Sequence, residues 1–186
     1  IAPTSNQLTG VGNQSYQHDA AGNLSDDSLN SYHYNGRNRL VEVKRQGLNV
    51  VYYAYNAWGE RVSKAVAGSI THFLYDEAGR LLGTYQQTPQ GLTPQQELVW
   101  LEDTPVAVLV PGATGVQVYR IQPDHLDTPR LVQDSSGKTV WTWPQAEPFG
   151  ANPPNEDPDG DGVRFTLNLR FPGQHFDTET RLHYNY

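Results

Sequence analysis

Among its 186 residues the chain has no cysteine and no methionine. Without cysteine there is no disulfide, no thiolate metal site and no thiol nucleophile. The compartment stays open, because a secreted protein need not carry disulfides. Charge is sparse and of one dominant sign: charged residues make up 18% of the chain, with 20 Asp and Glu against 13 Lys and Arg, a formal net charge of -7. A nonspecific nucleic-acid surface needs the opposite sign, so no nucleic-acid partner is expected. No uninterrupted apolar run reaches the ~20 residues of a spanning helix, and no N-terminal signal segment is visible. The missing methionine, the start at Ile1 and the end at Tyr186 inside a strand-like phrase predict a piece of a longer protein. What is plentiful is turn and ring: 17 Gly, 13 Pro and 11 Tyr. That balance favours strands and turns over helices, in one domain or two small ones.

The stretch from Tyr32 to Leu82 contains one phrase three times. It reads Tyr32-His33-Tyr34-Asn35-Gly36-Arg37-Asn38, then Tyr53-Ala54-Tyr55-Asn56-Ala57-Trp58-Gly59, then Phe73-Leu74-Tyr75-Asp76-Glu77-Ala78-Gly79. An earlier copy runs from Tyr16 to Leu24, with His18 in the tyrosine slot and Gly22 in the glycine slot. The copies recur every ~20 residues, a spacing that belongs to repeat proteins. Two rings with one residue between them lie on the same face of a strand. Asn or Asp then bonds its own backbone, and Gly accepts positive φ, so the chain turns back. Asn38 takes the glycine slot because Asn tolerates the left-handed region. The spacing therefore predicts an all-β chain of successive antiparallel hairpins forming a curved sheet. Its structural repeat residues are Tyr34, Tyr55, Tyr75, Gly22, Gly59 and Gly79.

Around this series, residues 1–15 read as an irregular lead-in or the end of an earlier unit, and Asp26-Asp27 as a solvated loop. Val51, Tyr53 and Tyr55 share one strand face and Val50 and Tyr52 the other, which predicts cover on both faces or tight curling. Residues 84–94 read as a long polar hairpin loop. Leu98 to Leu101, Val106 to Val110 and Gly115 to Ile121 are strands. The segment from Gln122 to Arg130 looks different in kind: Asp124, His125 and Asp127 suggest either a metal or acid–base site or a packed turn. Residues 133–138 form a degenerate unit. Trp141 and Trp143 share a strand face, as a sugar-stacking platform, as core or as a protein interface. Asp157, Asp159 and Asp161 followed by Gly162 match the opening of a calcium loop, although Asn168 stands where a bidentate Glu is expected. The alternative is an acidic solvated turn. Val163 to Phe171 alternates as a strand should, with Val163, Phe165, Leu167 and Leu169 on one face.

Taken together, Tyr16 to Tyr186 resembles the Rhs/YD-repeat (rearrangement hotspot) family. The Tyr–Asp/Asn–Gly phrase is similar to the YD repeat. Asp124-His125-Leu126-Asp127-Thr128-Pro129-Arg130 resembles the family's DHLGTPR-like box, with Asp127 where Gly is usual. Arg170-Phe171-Pro172-Gly173-Gln174, then Phe176-Asp177 and Leu182 to Tyr186, resembles the start of the core-associated segment, with Arg181 where Gly is usual. The resemblance implies YD-repeat hairpins over 16–121 and core-associated sequence over 122–186. It implies a fragment of a hollow β-spiral shell that encloses a variable C-terminal toxin. The partners would be that toxin, the remaining shell repeats and secretion-apparatus proteins, type VI among the routes. The protein would be held in the producer cytoplasm and then secreted or delivered into a target cell. The resemblance also implies an aspartyl autoprotease in the intact parent, with Asp177 as one carboxylate and Arg170, or next Arg164, as the supporting arginine. Such chemistry needs two close carboxylates, so this stretch alone is not expected to be an enzyme. A carbohydrate-binding β-repeat module of the cell surface, using Tyr and Trp faces, is the alternative from a different class. No cofactor is expected other than calcium.

Overall fold

The structure is a computed structural model that describes residues 5–45, 50–144, 147 and 150–185. Among these, every regular element is a strand and every ladder is antiparallel. The chain divides into two compact units between Thr71 and His72.

In the first unit, β1 (Gly10–Val11) and β2 (Gln14–Ser15) form a small ladder of their own. The lead-in is therefore not wholly irregular; residues 1–4, part of that expectation, lie outside the described residues. A meander follows: β3 (Gln17–His18), β4 (Leu24–Asp26), β5 (Asn30–Tyr34), β6 (Leu40–Arg45), β7 (Val51–Tyr55) and β8 (Arg61–Val66), each paired with the next. The link between β4 and β5 is more than a solvated loop. Asp27 accepts hydrogen bonds from the Tyr32 hydroxyl at 2.7 Å and from the Asn30 amide at 2.6 Å. In β7, Val51 and Tyr53 are buried while Tyr52 is 51% exposed. The expectation of two covered faces fails here, because the ring of Tyr52 stands on the solvent side.

The second unit contains β9 (Ser69–Tyr75), which begins just before it, then β10 (Leu81–Thr88), β11 (Gly91–Leu101), β12 (Thr104–Gly112), β13 (Gly115–Pro123), β14 (Pro129–Gln133) and β15 (Thr139–Thr142). Strand order again follows chain order. The expected polar loop over 84–94 is instead strand on both sides, with Thr88 paired to Gly91. Polar side chains suffice there because the ladder is held by backbone bonds. Each strand contributes one buried apolar residue to the same core: Phe73, Leu81, Leu98, Val108, Ile121, Val132 and Trp141. Leu98 pairs with Val108, Ile121 with Val132, and Val132 with Trp141, so the row runs across the sheet. The residues following three of them, Leu74, Leu82 and Val99, point to solvent, as strand alternation requires.

One turn recurs six times among the described residues, starting at Asp19, Asn35, Asn56, Asp76, Asp124 and Asp134. In each, the first residue's amide donates to the carbonyl four positions on, and its carbonyl accepts from the amide three positions on. The side-chain oxygen accepts two further amides, as Asp76 Oδ1 does from Ala78 and Arg80. The fourth residue has positive φ: Gly22, Asn38, Gly59, Gly79, Asp127 and Gly137. This is a tight hairpin turn closed by a left-handed residue. At Gly59 the demand is double, since the Arg39 guanidinium fills the space a Cβ would enter. Asp124 to Thr128 is thus the same turn as the others, with Asp127 at φ 57 in the glycine slot. His125 is exposed at its tip. Of the repeat rings, Tyr32, Tyr53 and Phe73 are buried, and Tyr34, Tyr55 and Tyr75 are half-buried beside them.

Candidate functional site

After β15 the chain returns across the apolar row. Thr142 and Asn155 exchange backbone bonds at 2.9 and 2.8 Å, and the Trp143 indole donates to the Asn152 carbonyl at 2.8 Å. Trp141 and Trp143 are 0% and 1% exposed, which overturns the sugar-stacking platform: their rings are core. Residues 156–165 form a closed loop, with the Phe165 amide bonded to the Glu156 carbonyl and Arg164 paired to Glu156. From there Val163 to Phe171 joins no ladder among the described residues apart from one bridge between Leu169 and His175. The expected strand is a cover segment. Its alternation comes from lying on the sheet: Leu167 and Leu169 enter the core, Phe165 meets Tyr119 at 4.5 Å, and Gln96 holds the Thr166 carbonyl at 2.6 Å. Val163 is 71% exposed, so it does not share that face in effect.

The loop brings oxygens of Asp157, Asp159 and Asp161 within 4.8 Å of one another. The Lys138 ammonium stands against two of them, 2.6 Å from Asp159 and 3.1 Å from Asp161. Those contacts raise the lysine pKa and lower that of Asp159. Asp157 also accepts the Asp161 and Gly162 amides. Phe165 and Asn168, which would fill the later positions of a calcium loop, run into the cover segment instead. A cation at the three carboxylates would displace Lys138.

The cover segment ends at Arg170, 4% exposed. Its guanidinium donates to the Leu167 and Leu169 carbonyls at 2.7 and 2.8 Å and lies 5.2 Å from the Trp143 ring and 4.9 Å from Phe176. Burial pulls its pKa down to about 10, still well above neutral pH. Strands β16 (Gln174–Asp177) and β17 (Leu182–Asn185) then pair as a hairpin, with the Phe176 amide bonded to the Asn168 carbonyl. Its turn differs from the six repeats. The left-handed residue is Arg181, at φ 60, and its amide donates to the Asp177 carbonyl at 2.8 Å.

Asp177 is 2% exposed. Arg170 donates to the Leu167 and Leu169 carbonyls, and Arg164 pairs with Glu156 at the loop. Asp177 Oδ1 lies 3.7 Å from Nδ1 of His175, which is itself buried and edge-on to Phe73 at 5.3 Å. His183 sits opposite Phe176. Burial first, then the Arg170 charge, holds its imidazole below the usual range, against the pull of Asp177. Sequence reasoning passed over His175 and Lys138. The signal for His175 was present, since residues two apart on a strand share a face.

A protein-family model described as Teneurin YD-shell matches residues 4–183. The tRNA3(Ser)-specific nuclease WapA of Bacillus spizizenii is 27% identical over 181 residues, covering 96% of this chain and 7% of that protein. The tRNA nuclease WapA of Bacillus subtilis matches to the same extent. The double-stranded DNA deaminase toxin A of Burkholderia cenocepacia is 23% identical over 199 residues, covering 91% of this chain and 14% of that protein. Among solved structures, the crystal structure of TcdB2-TccC3-TEV aligns with a TM-score of 0.41 and 14% identity, over 70% of this chain and 10% of that one. The chain spans less than a sixth of the length of each of these curated relatives. With a family match running through both units, the repeated turn and the cover segment, the chain belongs to the Teneurin YD-shell family.

Proposed function

We propose that this chain is a wall segment of a hollow shell in a secreted bacterial toxin of the Rhs kind, and that the shell encloses a variable C-terminal toxin. One observation carries the reading: relatives that share this segment differ in activity, a tRNA nuclease in two and a DNA deaminase in a third. A segment common to both chemistries serves as carrier rather than catalyst. The covered face of the second unit would be the shell interior. The protein would wait in the producer cytoplasm and leave through a secretion apparatus, type VI among the candidates, to act in competition between bacteria. The test uses the full-length polypeptide in limited proteolysis. The C-terminal region should resist protease while the shell is native and be digested once urea opens it. Equal digestion in both states would remove the enclosure reading.

A second reading concerns release of the toxin. Asp177 is a fully buried carboxyl on the last described hairpin, the environment in which a carboxylate can be tuned for proton transfer. We propose that it is one of the two carboxylates of an autoprotease completed by residues beyond Tyr186. Normal self-cleavage of the full-length polypeptide by Asp177→Asn would remove this reading.

A further inference from the structure

We infer that the turns at one end of the strands form a latch line, in which the left-handed residue of each turn is the docking point for a side chain of the turn before it. In the first unit, the turns at Asp19, Asn35 and Asn56 join β3 to β4, β5 to β6 and β7 to β8. In the second, the turns at Asp76, Glu102 and Asp124 join β9 to β10, β11 to β12 and β13 to β14. Alternate links of a meander lie at the same end of its strands, so within each unit these turns stand side by side.

Among the described residues, four ties run between them, two in each unit. The Asn23 side-chain amide donates to Asn38 Oδ1 at 3.1 Å. The Arg39 guanidinium lies against Gly59, in the space a Cβ would need. Arg80 Nη1 donates to the Glu102 carbonyl. The Thr104 hydroxyl donates to Asp127 Oδ1 at 2.6 Å. Every receiving residue has positive φ: 57° at Asn38, 93° at Gly59, 53° at Glu102 and 57° at Asp127. Three of the reaching side chains directly follow a left-handed residue of their own turn: Asn23 after Gly22, Arg39 after Asn38 and Arg80 after Gly79. The latch accounts for a choice that turn geometry alone does not. Glycine takes the left-handed conformation without steric cost, and other residues pay for it. Asn38 and Asp127 occupy that slot with side chains that accept a bond from the neighbouring turn. A hairpin then cannot open at this end without releasing its neighbour, and hairpins open in company rather than singly.

The experiment is hydrogen–deuterium exchange, read by mass spectrometry on peptides of the full-length polypeptide. Asp127→Gly gives its own turn the residue that the backbone prefers and removes the docking oxygen. Exchange over the preceding turn, residues 100–105, should speed up about fivefold, the loss of one net hydrogen bond. Asp127→Asn keeps an acceptor oxygen and should leave that exchange unchanged. Asn38→Gly should act in the same way on residues 19–23, less strongly because that tie is longer and exposed. Thr104→Val should speed exchange over residues 124–128, and should add nothing there in an Asp127→Gly background. Backbone preference alone predicts a tighter turn at Asp127→Gly and no change in the turn before it. An unchanged or slower preceding turn in Asp127→Gly therefore overturns the proposal. So does a Thr104→Val variant whose effect stays within its own turn.

Discussion

Arg170 concentrates much of what holds the second unit together. It is a charged group placed among apolar rings, a costly position unless its donors are met and its plane is stacked. Both conditions hold: two carbonyls accept from it, and the rings of Trp143 and Phe176 lie within 5.2 Å of its centre. The stacking on both rings depends on a planar group. Lysine keeps the charge and loses the plane that stacks on the two rings and the weak hydration. Arg170→Lys should therefore destabilise the protein by ~2–4 kcal/mol, read as a lowered midpoint in urea. An unchanged midpoint would mean that charge alone suffices there.

At the scale of the element, the recurring turn is a self-contained device. Asp124 shows its energetics best, since its carboxylate accepts the Leu126 and Thr128 amides and the Arg130 guanidinium at 2.8 Å. Burial raises its pKa, but these donors outweigh burial and leave it lowered. A folded-state pKa below the unfolded one adds stability above the unfolded value, and that stability is lost as pH falls through the folded one. Asp124→Ala should cost ~1–3 kcal/mol at neutral pH. Asp124→Asn should cost less, because Asn serves the same slot at Asn35 and Asn56, and it should flatten the loss of stability in acid. Equal costs for the two variants would show that the backbone bonds contribute little. Local requirements of this kind are why the hairpins were legible in the sequence: Asx and Gly at fixed offsets are needed by the turn itself. The copy at Asp124 was missed because Asp127 sits where glycine gives the clue and no aromatic pair precedes it. The cover segment was misread as a strand because lying on a sheet imposes the same alternation as pairing within one. The burial of Asp177 was illegible, since it depends on how the last hairpin packs, which no local pattern records. His175 was readable two positions away and went unused.

On the scale of the molecule, the second unit is a sheet that contributes one core residue per strand, closed by a segment from its own downstream end. Leu167, 1% exposed, is the cover residue whose loss would be felt most directly by that row. Leu167→Ala should cost ~2–5 kcal/mol and shift tryptophan emission to the red as Trp141 and Trp143 gain water. A blue or unshifted spectrum with full stability would mean that the cover is dispensable. The order of the strands has a further consequence, one of timing. Every wall strand of the unit pairs with its neighbour in sequence, so the sheet can form as the chain leaves the ribosome. The residues that seal it are made after its strands. At ~5–20 residues per second, the row from Phe73 onward stays open to solvent for roughly ten seconds before Leu167 and Leu169 emerge. Through that interval the nascent wall is a sticky surface that a chaperone has reason to hold.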